Sequence, residues 1–322
     1  MRMGLTLAAT AIMIASCTQE NVMIDSSPVA NHQVSISFFE QSIEDIGKTT
    51  SDESSLAPAL LSSTANSRAT TRADKTQSIK ACKKFSELVV SLFPKDEGKT
   101  ETYVVRQDSL DDDFGHVSLD VPAGNYHMVA IASATVMPIT TPISIVSASE
   151  AHFAAELKDM VYVSQDITVR SDQSSQTVSA GMQRAVSAFE LRANEKTPVN
   201  AASVDIKITG NCGLVFNPST GYCKEKAVVS RHIEFDGVKV QYYILKFDVY
   251  AFLGEDDVSD LQVDAVMKDK QGQVMKSLHF DNVHLEKGRL TRYTGNIFTK
   301  DNYLDFVITN SNMSDSEYSK DF

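Results

Sequence analysis

The 322-residue chain has no tryptophan, only four cysteines, and eight prolines. Without Trp it lacks the widest rings on which sugar-binding surfaces stack their ligands. Positive charge is the minority: 30 Lys and Arg stand against 42 Asp and Glu, a formal net charge of −12. That balance repels phosphate backbones and anionic headgroups, so no nucleic-acid partner is expected, and solubility is the plain reading of the charge. Past the first 17 residues no apolar run approaches the roughly 20 residues that a membrane-spanning helix needs. What remains is ordinary globular material: 42% hydrophobic residues, enough for a sizeable core.

The amino terminus carries the sharpest signal. Arg2 precedes an apolar run over residues 3–16 that is too short to cross a bilayer. The run ends in Ile14-Ala15-Ser16-Cys17, which resembles the lipobox of bacterial lipoproteins: an aliphatic residue, two small residues, then Cys. The resemblance implies cleavage before Cys17 and lipid, palmitate included, on its thiol. Two or three acyl chains then hold the mature protein durably on an outer membrane. Removing residues 1–16 takes away one positive charge and no negative one, moving the net charge from −12 to −13. Export also means a compartment where disulfides persist. Cys212 and Cys223 bracket a turn-rich stretch, Gly213–Tyr222. A bridge there would be worth about 3 kcal/mol; two free thiols is the other reading. Cys82 reads as a small apolar residue opening a strand.

Along the chain, residues 17–30 form a polar tether. Val34-Ser-Ile-Ser-Phe38 alternates as a strand does. Residues 41–78 are rich in Ser, Thr, Ala and Asp without a period, a long loop that holds Arg68 and Arg72. Beyond Phe85 short strands and turn signals succeed each other. Val117, Leu119 and Val121 alternate with polar residues, and Pro122–Asn125 followed by Tyr126–Ile131 reads as a hairpin. Met160–Val169 reads as a pair of strands. A second set opens near Ala185, with Val204, Ile206 and Ile208 on one face. Tyr243 to Ala251 form one face of a long strand, and Leu261, Val263 and Ala265 repeat the pattern. No stretch of 12 residues holds a helical period. The expectation is an all-β protein of two sandwiches, residues 31–180 and 181–322.

Three segments in a fixed order carry a more specific resemblance. Phe85–Phe93, a Gly turn and Phe114–Ile131 form an apolar strand, a Gly-x-Tyr turn and a second apolar strand. Met182-Gln-Arg184–Leu191 resembles a strand opening a second domain. Val283–Phe298 holds a late Arg-x-Thr strand ending in Gly-x-x-Phe. Together with the lipobox they resemble the fimbrillin-like proteins of Bacteroidetes, major and minor fimbrial subunits and their anchors. The resemblance implies two tandem transthyretin-like β-sandwiches, the lipoprotein export route, a place in surface fimbriae, and other fimbrial subunits as partners. In polymerising members a protease cuts after an Arg near the amino terminus. Loss of the first strand opens a groove that a neighbour's strand fills. By that analogy Val34–Phe38 is the removable strand, and Arg68 and Arg72 are the candidate cut sites; ordinary solvated loop arginines are the plainer reading. Anchor members keep their lipid and are not cut. Asp108-Ser109-Leu110 resembles the O-glycosylation sequon of this phylum, which makes Ser109 a candidate.

Catalytic and cofactor signatures do not assemble, so no enzyme, no metal and no cofactor are expected. Gly98-Lys99-Thr100 would need a Gly at position 93, where Phe93 stands. No Gly-x-Ser-x-Gly elbow and no HExxH occur. His279 and His284, five apart on one strand, are expected on opposite faces; a hairpin over 117–131 would let His116 and His127 meet, against which surface or packed histidines are the plainer reading. Asp111–Asp113 and Glu255–Asp257 lack calcium-loop spacing and read as solvated turns. Tyr222, Tyr242, Tyr243 and Tyr250 offer a sugar platform, against which stands the ordinary role of Tyr on a sheet face. A fimbrial subunit or anchor is therefore the expected function, and a surface glycan-binding lipoprotein the alternative.

Overall fold

The computed structural model describes residues 30–41, 77–135, 137–140, 142–153, 156–241, 244–299 and 306–313. The all-β expectation holds. Helix is limited to single turns at Ile79–Cys82 and Gly237–Val240, among the described residues. Each is started by a side chain that accepts a backbone N–H, Ser78 for the first and Asp236 for the second.

Alternation builds the first sandwich. His116–Pro122 (β5) buries Val117, Leu119 and Val121 and exposes the residues between them. Asn31–Glu40 (β1) buries Val34, Ile36 and Phe38 in the same way. Against these two strands and Ser175–Arg184 (β10) packs a second layer. It contains Glu87–Pro94 (β3), Tyr103–Asp108 (β4), Gly124–Ser133 (β6) and Met160–Val169 (β9). β10 joins the layers: its first part pairs in parallel with β1, and its last two residues pair with β9. The runs in β3 and β6 are apolar at almost every position because both faces are covered. Leu88, Val90, Met128 and Ala130 face the sandwich core, while Val89, Val129 and Ile131 face a second cluster behind it.

The second half is another face-to-face pair of sheets. One sheet runs Val229–Glu234 (β16), Ala201–Thr209 (β12), Val258–Asp269 (β18), Val274–Glu286 (β19). The other runs Cys212–Gly213 (β13), Lys246–Leu253 (β17), Ser187–Ala193 (β11), Arg289–Gly295 (β20), Val307–Asn312 (β21). Between them lie Phe189, Leu191, Val204, Ile206, Ile208, Phe247, Val249, Leu261, Val263 and Ala265. These include the alternating residues read as core from the sequence.

A third cluster draws on both halves: Val129, Ile131, Met160 and Tyr162 on one side, Ala188, Phe216, Phe252 and Leu290 on the other. A small sheet of Ser144–Ser147 (β7), Glu150–His152 (β8), Phe216–Asn217 (β14) and Tyr222–Cys223 (β15) reinforces it, with β8 pairing β14 through Ala151 opposite Phe216.

Several local expectations are corrected. The 117–131 segment is not a hairpin. β5 pairs with β1 whereas β6 pairs with β3 and β9, because the chain turns a corner at Pro122–Gly124 and changes layer. Met160–Val169 is one continuous strand. Met182 and Arg184 close β10, and the next strand starts at Ser187.

Candidate functional site

The distinctive construction is the seat of β1. The strand lies between β5, to which it runs antiparallel, and β10, to which it runs parallel. Ile36 stands opposite Val117 on one side and Val178 on the other. Val34 and Ile36 are fully buried and Phe38 is 1% exposed. Burying three such side chains is worth about 5–9 kcal/mol. The intervening residues make polar contacts on the outer face. The Ser35 and Ser118 hydroxyls lie 3.3 Å apart, and Ser37 Oγ lies 2.9 Å from His116 Nδ1. Ladder bonds extend past the strand ends, from Gln33 N to Ser174 O and from Gln41 N to Met182 O.

The inward face of β1 does not end apolar. Two residues beyond Phe38, Glu40 accepts a hydrogen bond from the Arg184 guanidinium at 2.5 Å. Arg184 also pairs with Asp159, and its side chain is only 4% exposed. The guanidinium sits 5.7 Å from the centre of the Phe85 ring. Burial disfavours its charge, but Asp159 and then Glu40 outweigh that and hold it protonated. Burial likewise pushes the Glu40 carboxyl up, and the facing Arg184 charge more than reverses it, leaving the group below its ordinary range. The Cys82 thiol donates to Glu40 at 3.3 Å and is pushed up to about 12 by burial and then by that carboxylate. In this position the thiol serves as a donor to Glu40.

After Gln41 the chain leaves the described residues and returns at Gln77–Ser78 (β2), which pairs with Phe39 and Glu40. Cys17, Arg68 and Arg72 lie outside the described residues. Ser109 sits exposed in the turn after β4, where Asp108 and Asp111 accept backbone N–H groups. Cys212 and Cys223 are free thiols. They face different clusters: Cys212 lies in the core of the second half, whereas Cys223 packs against the cluster shared by both halves. It is the outward direction of Gly213, not of Cys212, that meets Cys223, since an ideal Cβ on Gly213 would stand 3.3 Å from the Cys223 sulfur.

The histidines are also redistributed. His116 bonds Ser37, whereas His127 bonds Asp166 and Ser164, so the two do not meet. His279 and His284 share one face, against expectation. A bulge with Asn282 at φ 56° inserts one residue, so Val283 faces Leu261 while Phe280 faces Val263. Each then stands opposite an aspartate, His279 with Asp264 and His284 with Asp260. Among the described residues no three His, Cys, Asp or Glu converge as a metal site. Tyr222 bonds Asp257, and Tyr250 packs against the shared cluster; Tyr242 and Tyr243 fall outside the described residues. Sequence reasoning missed Arg184. Its signal was available, since it follows Ala180 and Met182 on the same inward face of β10 and is a charge where an apolar residue is expected.

The profile of the fimbrillin-A associated anchor proteins Mfa1 and Mfa2 matches residues 80–312. The chain belongs to this family. Members of the Mfa2 family anchor fimbrial subunits, a role at the cell-surface fimbrium. Among solved structures, the fimbrial anchor protein Mfa2 from Porphyromonas gingivalis is 9% identical, covering 88% of this chain and 98% of its own, with a TM-score of 0.41. A candidate adhesin from Bacteroides thetaiotaomicron VPI-5482 is 11% identical, covering 89% and 97%, with a TM-score of 0.48. Comparison with curated proteins gave no match.

Proposed function

We propose that this Mfa2-family chain is a lipid-anchored subunit of the outer membrane, tethered through Cys17, that joins a fimbrium by exchanging or retaining its first strand. The observation that carries the reading is the seat of β1, which is ladder-bonded on both sides, with three buried apolar anchors. A strand so placed is held largely by contacts that another extended segment can reproduce. The connection from β1 to β2 contains Arg68 and Arg72. A cut there leaves β1 in place by noncovalent contacts alone, ready for exchange; an uncut chain keeps its own strand and caps the fibre at the membrane. The two sandwiches act as two domains that divide where β10 gives way to β11, a few residues past the expected 180/181 boundary, and Ser109, exposed on its turn, is the acceptor for O-glycosylation.

Intact-mass analysis of protein extracted from the cell surface tests the reading. Acylated Cys17 with residues 18–72 retained marks the uncut anchor. A chain starting at Ala69 or Ala73 marks the exchanging form. A chain that keeps an unmodified Met1 overturns the proposal.

A further inference from the structure

We propose that the β1 seat selects its strand by a charge as well as by apolar pockets: an entering segment must present apolar residues at three alternate positions and a carboxylate at the fourth, where it closes on Arg184. This inference rests on the strand-exchange reading and specifies the partner that reading requires. The inward face of β1 reads Val34, Ile36, Phe38, Glu40. Three apolar pockets in a row do not fix register by themselves, because a slip of two residues puts apolar side chains back on the same face. Glu40 removes that freedom. Shifted by two, the carboxylate either enters the Phe38 pocket or leaves Arg184 facing an apolar side chain.

Arg184 makes either error costly. Its guanidinium is almost wholly buried, flanked by Glu40 on one side and Asp159 on the other, with the Phe85 ring beside it. A buried ion pair adds little net stability over a well-packed apolar replacement, yet breaking it from one side is expensive because the remaining charge stays buried. A device of that kind discriminates strongly while stabilising weakly, which suits a slot that must reject wrong registers and wrong segments. Supporting contacts converge on the same carboxylate: the Cys82 thiol bonds its second oxygen, and β2 pairs with the backbone of Glu40. On the far strand Gly181 leaves room for Gln41, since a Cβ there would stand 2.3 Å from the Gln41 amide nitrogen. The seat is thus shaped for the residue at the Glu40 position and the one after it. The partner it fits is an extended chain of the form apolar-x-apolar-x-apolar-x-acid, running parallel to β10.

The test uses the full mature chain, nicked in the β1–β2 connection by an Arg-specific protease, and fluorescent peptides spanning Asn31–Gln41. The native peptide is expected to displace the resident strand, and the Glu40→Gln peptide to bind at least about tenfold more weakly. In an Arg184→Gln host, or Arg184→Met should the first not fold, that preference disappears. Equal binding of both peptides to the nicked wild-type protein overturns the charge requirement while leaving strand exchange standing. Failure of the native peptide to enter overturns strand exchange itself. The charge requirement is then decided on the uncut chain, by melts of Glu40→Gln, Arg184→Gln and the double variant. A double loss well short of the sum supports it, and strictly additive losses overturn it.

Discussion

Single residues on the outer face of the β16-β12-β18-β19 sheet follow one rule: a histidine stands directly across from an aspartate. His232 faces Asp205 at 2.5 Å, His279 faces Asp264 at 2.6 Å, and His284 faces Asp260 at 3.1 Å. Asp205 raises the His232 midpoint above its ordinary value, and Asp264 followed by Asp281 does the same for His279. A raised midpoint in the fold means that the contribution to stability is fully present below the unfolded midpoint of about 6.5. It is lost as pH rises through the higher folded value. Histidine-ring NMR titration should give midpoints above 6.5 for both. Asp205→Asn should lower the midpoint of His232 and leave that of His279 in place as an internal control. An unmoved His232 would show that cross-strand register contributes nothing to its proton affinity. The acid that His232 loses also holds Lys268 at 2.7 Å, so the same variant releases a surface lysine, a small effect at this exposure.

Strands and their neighbours show how far the sequence was legible. β5 and β18 were readable because each has one wet face, and alternation records that directly. The apolar runs of β3 and β6 were readable as strands, but not the reason for them, a second cluster behind the sheet that brings in Phe216, Phe252 and Leu290 from far along the chain. The false hairpin at 117–131 and the shared face of His279 and His284 both come from single backbone events, a corner and a bulge, that leave no periodic trace. The partners of β1 were not legible because parallel pairing with β10 closes a loop of about 140 residues, far beyond any local pattern. A second buried charge row was missed for the same reason. Arg292, Glu190 and Asp248 stand side by side across β20, β11 and β17. Arg292 pairs with Glu190, and Asp248 is pushed up to about 7 by burial and then by the facing Glu190 carboxylate, against Arg231 and Lys246. Here the fold holds the proton more tightly than the unfolded chain. Stability from this group is therefore full below about pH 4 and is lost as pH rises toward 7. Asp248→Asn, which cannot ionise, should stabilise the fold at pH 8, read as a higher melting temperature, and change little at pH 4. Equal shifts at both pH values would assign the effect to packing.

At the scale of the whole molecule, the two halves meet in the shared cluster. Phe216 is fully buried there. Its ring stands edge-on to Tyr162 at 4.8 Å and stacks on Phe252 at 4.7 Å, while Phe153 contacts Phe252 from the first half at 5.3 Å. The polar surroundings are modest: Glu150 holds Lys224 and His152 at the surface, and Ser219 Oγ donates to Ala148 O at 2.6 Å. Exposed ion pairs of this sort contribute little, so the aromatic stack is expected to supply most of the coupling between the two halves. Truncating it should therefore do more than destabilise. Phe216→Ala should cost about 3–5 kcal/mol at the junction and convert one cooperative calorimetric transition into two, with the calorimetric enthalpy exceeding the van't Hoff value. A single, merely lower transition would mean that coupling runs instead through the β8–β14 pairing and through β10 into β11. In that case strand pairing and backbone continuity, not the buried ring stack, couple the two halves.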